Sequence, residues 1–388
     1  MSKMKVVFVS NYFNHHQQPF SDEMAKLTNG EYRFIQTIPM EEERKNMGWD
    51  MDSLPDYVLN NYENEDCRKK CQKTIDEADV VIIGSASHKL VEYRLKQNKL
   101  VFFYSERVYK KKRTILKYPY HCLKNFFQYN RYKNVYMLCA SAYTALDYAM
   151  TFSFLGKTYK WGYFPVLKRY EDIDELIDSK KKNSILWVAR LIDLKHPEIP
   201  IKIARLLKDE GCVFELSLIG NGELEENLKA LIKELKVEDC VKTLGSMKPE
   251  QVRQYMEKSD IFLFTSDRNE GWGAVLNESM NSGCAVVASH AIGSVPFLIQ
   301  DEKNGLIYKD GNIEDLFVKV KDLLTNVEKR KQIAKNAYKT METQWNAEVA
   351  GIRFLELVET LLDNKKTEDL FKDGVCSKAE ILKDNWYR

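Results

Sequence analysis

The stretch from Ile261 to Ala288, I-F-L-F-T-S-D-R-N-E-G-W-G-A-V-L-N-E-S-M-N-S-G-C-A-V-V-A, restricts the fold of this chain more than any other. It opens on a short apolar run, Ile261 to Phe264, and closes on another, Ala285 to Ala288. Between them come a polar turn with Gly271 and Gly273, a helix-like segment from Ala274 to Ser282, and a glycine at that segment's end. Apolar runs without alternation suit strands covered on both faces, and a helix between two such strands makes them parallel by a right-handed crossover. The turn then falls at the carboxyl edge of the sheet, where open α/β sheets bind ligands.

The backbone N–H groups from Gly271 to Val275 are expected to converge ahead of the helix, with the positive end of its dipole behind them, an arrangement that suits a phosphate. Glu270 stands before the turn and Glu278 about one turn inside the helix. Carboxylates beside an anion site bind hydroxyls rather than the anion itself. The combination asks for hydroxyls on both sides of a diphosphate, as in a nucleotide sugar. An ordinary helix start with solvated acids has the same spacing.

Glu270 and Glu278, with seven residues between them in the setting E-G-W-G-A-V-L-N-E, resemble the E-x7-E signature of the retaining family-4 glycosyltransferases. The usual pattern is E-G-F-G followed by E-A-M-A-x-G-x-P-V; this chain has Trp272 for Phe and Ala285 for Pro, with the register kept. The resemblance is close over residues 184 to 325 and loose before them. It implies the GT-B fold, two Rossmann-like domains facing across a cleft with a C-terminal helix crossing back to the first. It also implies transfer of a hexosyl group from a nucleotide sugar, with retention and with no metal or other cofactor. On it, Glu270 orients the sugar, Glu278 holds the ribose, and Gly271, Trp272, Gly273, Ala274 and Val275 form the donor turn.

Other stretches extend the resemblance. W-V-A-R-L-I-D-L-K-H-P resembles the family's G-R-L-x-x-x-K-G and supplies Arg190 and Lys195 at a strand's carboxyl end, with Ala189 and His196 where the family has glycine. Two fixed cations there would stabilise a leaving diphosphate more in the transition state than in the ground state. Gly220-Asn221-Gly222 and Gly245-Ser246-Met247-Lys248 follow the next two strands, and Gly220, Gly245 and Met247 are donor-binding candidates. No third glycine or acidic partner makes the first of these a dinucleotide site, and the first strand of the chain leads to N-Y-F-N-H-H-Q-Q-P-F without a glycine, which disfavours an NAD enzyme.

That loop puts His15, His16 and Gln17 at a strand end, His16 being the donor-binding candidate, since imidazole both donates and accepts. Glu106 follows the strand Leu100 to Tyr104 where the family often has a histidine, and stands as a catalytic candidate for the acceptor hydroxyl, with an ion pair to Arg107 or a nearby lysine as the plain alternative. His88 is a further candidate. Two D-x-D triplets, Asp50 to Asp52 and Asp172 to Asp174, follow no apolar strand, so neither reads as a metal site. Cys67 and Cys71 have no second ligand pair. No metal ligand is assigned.

The chain has 388 residues, 44% of them apolar, enough for two domains. Strands are expected at Lys5 to Ser10, Tyr32 to Thr37, Val80 to Ile83, Leu100 to Tyr104 and Val135 to Cys139. A second set is expected at Ser184 to Ala189, Glu215 to Ile219, Val241 to Leu244, Ile261 to Phe264 and Ala285 to Ala288. The charged stretch Lys168 to Asn183 reads as a linker, giving an acceptor domain over 1–167, a donor domain over 184–345, and a crossover helix, Ala347 to Leu362, with a charged tail over 346–388. Pro197 and Pro249 are expected to open helices.

Lys and Arg number 59 against 57 Asp and Glu, which gives nucleic acid no overall attraction. Positive charge is nonetheless concentrated from Arg107 to Asn134, with nine Lys or Arg, seven Tyr or Phe and no acid. Cations interleaved with aromatics favour an anionic membrane surface. No apolar run reaches the length of a signal peptide or membrane span, so the expectation is a cytoplasmic protein, peripheral at the inner face of the membrane. The expected partners are a nucleotide-sugar donor, UDP favoured over GDP, and a saccharide acceptor carried on a lipid, as in surface polysaccharide assembly. A sugar-nucleotide epimerase of the same fold and a non-catalytic nucleotide-sugar-binding subunit are the rival readings.

Overall fold

A computed structural model describes residues 4–42, 53–110 and 118–387. The chain forms two compact units, one of Met1–Val166 with Asn346–Lys383, the other of Leu167–Trp345 with Asp384–Arg388.

The first unit is built on a parallel sheet of seven strands: β1 (Val6–Ser10), β2 (Tyr32–Gln36), β3 (Val58–Asn60), β4 (Val80–Ile83), β5 (Leu100–Ser105), β6 (Val135–Cys139) and β7 (Thr158–Lys160). Their order is β3-β2-β1-β4-β5-β6-β7. Strands β1 and β4 are buried along their length and apolar but for Ser10, because helices cover both faces and leave no wet side to alternate with. Helix Ala347–Leu362 packs on helix Gln18–Leu27. Its Phe354 lies 5.3 Å from Phe102, 5.8 Å from Trp161 and 6.4 Å from Phe20, ring centre to ring centre. That C-terminal helix completes the first unit's core.

The second unit holds six parallel strands: β8 (Lys181–Val188), β9 (Glu215–Ile219), β10 (Val241–Thr243), β11 (Ser259–Phe264), β12 (Ala285–Ser289) and β13 (Leu306–Tyr308). The order β10-β9-β8-β11-β12-β13 reverses direction between β8 and β11. Open α/β sheets bind ligands at the carboxyl ends of the strands at such a switch point. Ile261 pairs with Ile185 on one side and Ala285 on the other, so the strand leading to Glu270 is central. Helix Pro249–Lys258 has Pro249 in its first turn, whereas Pro197 is the cap of helix Glu198–Asp209.

One expectation is corrected. The charged stretch Lys168 to Asn183 is not a linker: it carries helix Ile173–Asp178 and the start of β8, and packs into the second unit. Lys180 is buried because its ammonium donates to the carbonyls of Met256, Glu257 and Ser282 at 2.9, 3.0 and 2.9 Å, which satisfies all three N–H groups. The second unit therefore begins at Leu167 rather than at 184. The charged tail is divided between the two units. Thr158 donates to the carbonyl of Ala379 at 2.8 Å and Lys378 bridges antiparallel to Tyr159, after which Asp384–Arg388 joins the second unit. There Tyr387 stacks on His290 at 5.7 Å and Arg268 lies 3.4 Å from Asp384. Among the described residues no helix is long and apolar enough to cross a membrane.

Candidate active site at the switch point of the second unit

The loops after β8 and β11 meet at the reversal in strand order. β8 ends at Val188, and the chain passes through exposed Arg190 and a short turn, Asp193–Lys195. β11 ends at Phe264, and Thr265 joins the two loops. Its hydroxyl accepts from the indole N–H of Trp187 at 2.9 Å and donates to the carbonyl of Lys195 at 2.8 Å. All of this lies under the sheet edge, so Lys195 is fixed by the core.

Lys195 pairs with Glu270, and both side chains are mostly buried, 14% and 12% exposed. Ser266 also donates to the Glu270 carboxylate, at 3.0 Å. A carboxylate held by an ammonium and a hydroxyl has a set direction, which is what orienting a sugar hydroxyl requires. Glu270 takes its basic neighbour from outside its own motif. Glu278, partly exposed, carries a carboxyl that burial pushes above its ordinary value, while Arg253 pulls it the other way. Arg253 comes from helix Pro249–Lys258 and also donates to Asn281 at 2.9 Å and Ser282 at 3.1 Å.

The turn between the two glutamates is shaped by packing as well as by any ligand. Gly273 has φ +80, and a β-carbon there would stand 2.3 Å from the Phe264 ring, so only glycine lets the chain pass over the end of β11. Trp272 corrects the simple reading of the donor turn. Its side chain is fully buried, its indole N–H donates to Asn277 at 2.9 Å, and it packs on Trp345 and Phe297. Its carbonyl accepts from Ser294 at 2.6 Å. Trp272 can therefore meet a ligand only through its backbone; the ring anchors the turn. Leu276 N–H donates to Gly273 and Glu278 N–H to Ala274, which closes the first turn of helix Val275–Asn281.

Gly220 and Gly245 lie on the adjoining loops, laced together edge to edge. Leu191 N–H donates to Asn221 at 2.8 Å, and Gly220 N–H donates to Gly245 at 2.8 Å. Met247 is partly exposed on the third loop. Asp172, of the second D-x-D triplet, accepts from the N–H groups of Asp174 and Glu175 as a helix cap; Asp50 and Asp52 lie outside the described residues. Among the described residues no group of three His, Cys, Asp or Glu is placed to hold a metal ion.

The remaining candidates gather at the carboxyl edge of the first unit's sheet. Glu106, after β5, accepts from the Tyr163 hydroxyl at 2.9 Å and lies 3.5 Å from Lys110, so the nearby lysine does pair with it. Arg107 turns away to Asp147, at 3.8 Å. His16 lies 5.9 Å from the Tyr163 ring and 4.0 Å from His15, and burial, aided by His15, pushes its pKa down to about 3. It is neutral at pH 7 and can hydrogen-bond without bringing a charge. His88 is taken up by packing: it lies 3.2 Å from the Tyr129 hydroxyl and 4.8 Å from the Phe103 ring.

Sequence reasoning missed the residues that brace the site. Ser266 and Asp267 were legible as polar residues after Thr265 at the end of the strand, and Asp267 with Asn269 has the spacing of an Asx turn. Arg253 had no local signal, since it arrives from a separate helix.

Two parallel α/β units, the second with a cation–carboxylate pair at its switch point, define a GT-B fold, and solved structures share it. Anabaena HepE, solved in complex with UDP, superposes with a TM-score of 0.67 at 16% identity, covering 92% of this chain and 100% of that one. A Rickettsia africae glycosyltransferase superposes with a TM-score of 0.65 at 16% identity, covering 94% of this chain and 100% of its own. Residues 169–340 match the family model of glycosyl transferases group 1, so the second unit carries a domain of that kind. The amylovoran biosynthesis glycosyltransferase AmsK of Erwinia amylovora is 33% identical over 182 residues, 46% of this chain and 44% of that protein. The N-acetylgalactosamine-N,N'-diacetylbacillosaminyl-diphospho-undecaprenol 4-alpha-N-acetylgalactosaminyltransferase of Campylobacter jejuni is 34% identical over 173 residues, 45% and 44% of the two chains. The chain thus spans under half the length of these curated relatives.

Proposed function

We propose that this protein is a retaining glycosyltransferase that moves a hexosyl group from a UDP-sugar to a saccharide acceptor in surface polysaccharide assembly. The observation that carries the reading is the braced Lys195–Glu270 pair at the switch point, with Arg190 exposed at the end of the same β8 strand. As the bond between the sugar and the diphosphate breaks, negative charge grows on the leaving oxygen. Fixed cations meet that charge without reorganising, so they lower the barrier more than they tighten binding. Arg190 and Lys195 take the place a metal would otherwise fill, Glu270 orients the sugar, and Glu278 receives the ribose hydroxyls. UDP in the Anabaena structure supports a uridine donor. The reading is tested by UDP release from a panel of UDP- and GDP-sugars with and without a saccharide acceptor: acceptor-dependent release is expected, and a panel with no release at all rejects it.

The acceptor we assign is linked to a lipid through a diphosphate, and the name of the Campylobacter jejuni relative, with its diphospho-undecaprenol, supports this. The first unit's surface supports it independently. On helix Tyr118–Asn125 and the turn Phe126–Asn130, the side chains of Tyr120, Leu123, Phe126 and Phe127 are half or more exposed, as are Phe152 and Leu155 beside them. Lys124, Arg131, Lys133 and Lys157 belong to the same region; Lys111, Lys112 and Arg113 lie outside the described residues. Exposed aromatic and aliphatic side chains among cations suit the headgroup region of an anionic bilayer, with each cation contributing about 1 kcal/mol. In liposome flotation the parent should float with anionic vesicles at low salt. Lys110, Lys111, Lys112 and Arg113 changed together to Gln should reduce flotation, as should Leu123→Ser with Phe127→Ser. A parent that stays at the bottom of the gradient rejects the membrane role and leaves a soluble acceptor.

A further inference from the structure

Lys195 and His196 are consecutive, yet they reach two carboxylates of one turn. Lys195 pairs with Glu270. At His196 the backbone swings to φ +50, and the ring leaves in another direction, with Nδ1 3.1 Å from Glu198 Oε1 and Nε2 3.6 Å from Asp267 Oδ2. Asp267 is the residue that folds the turn. Its Oδ1 accepts from the Asn269 N–H at 2.7 Å, its Oδ2 from the Asn269 side-chain amide at 2.9 Å, and its carbonyl from the Glu270 N–H at 3.0 Å. Its own N–H donates to Leu194 at 3.0 Å. The left-handed conformation at His196 is one that glycine adopts freely and a side chain with a β-carbon resists. In that conformation the His196 ring reaches toward both carboxylates.

We propose that His196 is a positioning residue: its ring ties Glu198 to Asp267, holds the Asp267–Glu270 turn against the Lys195 loop, and so keeps the Glu270 carboxylate in the direction the donor sugar needs. The proposal rests on the glycosyltransferase reading for the last of these steps and on geometry alone for the others. The groups facing the ring are Glu198 at the start of its helix, Asp267 from the turn after β11 and, further off, Asp310 from the loop after β13. All are acidic, while the adjacent Lys195 is turned to Glu270.

The clamp has a pH window. The hydrogen bond with Glu198 raises His196 above its ordinary value of 6.5, against the opposite pull of burial, and the charges of Glu198, Asp267 and Asp310 add to the rise. Burial pushes Glu198 up, but the hydrogen bond from His196 and the positive charges nearby outweigh it and leave that carboxyl below its ordinary value. A raised imidazole contributes fully below its unfolded value and loses that contribution as pH rises through the higher folded value. The clamp is therefore at full strength below the ordinary imidazole value of 6.5 and relaxes as pH rises through the raised folded value.

The test compares the parent with His196→Asn and His196→Gly, both of which tolerate the left-handed backbone and neither of which spans the two carboxylates. The melting midpoint of each variant should stay within a few degrees of the parent's. Hydrogen exchange at the Asn269 and Glu270 amides should quicken about tenfold near pH 6. In the same range kcat should fall about tenfold with little change in donor KM, and the parent should approach the variants as pH rises past the imidazole titration. Variants that keep the parent's exchange protection at those amides overturn the clamp. Variants that lose protection yet keep the parent's kcat and pH profile overturn its role in positioning Glu270. A parent that releases UDP from no donor sinks the glycosyltransferase reading instead, and the exchange measurement still decides the clamp.

Discussion

Lys195→Ala is expected to lower kcat by about 10² to 10³ while moving the donor KM by less than about tenfold. Two losses combine in that one substitution. The ammonium that would meet the leaving diphosphate is gone, and the mostly buried Glu270 carboxylate keeps the hydrogen bond from Ser266 but loses its counter-charge. A carboxylate freed in this way swings toward solvent and no longer presents a set direction to the sugar. On the proposed function Lys195 and Glu270 act as one unit, so Lys195→Ala combined with Glu270→Ala should be about as slow as the slower single variant, not slower by the product of the two. Steady-state kinetics of UDP release on the four proteins gives the whole cycle. Equal rises in KM and falls in kcat would assign Lys195 to ground-state binding, and multiplicative losses would show that the ion pair is not the working unit.

What could be read from the sequence follows a physical pattern. Strands buried on both faces, such as Val80–Ile83 and Ala285–Ser289, are continuous apolar runs and announce themselves. The strands Val58–Asn60, Thr158–Lys160 and Leu306–Tyr308 lie at sheet edges and span three residues each, too short for any periodicity to show. Helix Val327–Thr343 escaped notice because its buried positions include Arg330, Ala334, Ala337 and Tyr338, which make no run of large apolar residues at helical spacing. Charge misled in the Lys168 to Asn183 stretch, where Lys180 is buried on carbonyls contributed by residues far along the chain. The site divides the same way. Glu270, Glu278, Arg190 and Lys195 are legible as candidates because E-G-W-G-A-V-L-N-E and A-R-L-I-D-L-K-H resemble the motifs of the family-4 glycosyltransferases. That Lys195 grips Glu270, that Arg253 reaches Glu278 and that the ring of Trp272 faces inward are long-range facts, decided by packing between segments. No local spacing encodes them.

Gly220→Ala is expected to lower the melting midpoint by roughly 10 °C, with loss of nucleotide binding above the new midpoint. The backbone at Gly220 has φ +144, and a β-carbon there would lie 1.8 Å from the carbonyl oxygen of Ala189. The obstacle is backbone, so no side chain can rotate aside. Nor can the loops separate cheaply, since Ala189 N–H donates to Ile219 at 3.2 Å, Leu191 N–H to Asn221 at 2.8 Å and Gly220 N–H to Gly245 at 2.8 Å. Making room breaks at least one of these bonds, about 1 kcal/mol each, and adds backbone strain of about 1 to 3 kcal/mol. A total near 3 kcal/mol is a large part of a domain's stability of about 5 to 15 kcal/mol. Gly245→Ala is the control. That glycine also has positive φ, +70, but an added β-carbon meets nothing within 4 Å, so only the left-handed cost of about 1 to 2 kcal/mol applies. Thermal unfolding should therefore rank the parent above Gly245→Ala and Gly245→Ala above Gly220→Ala. If the two variants melt together, the glycine at 220 serves only its conformation and the close approach of the β8 and β9 loops carries no stability.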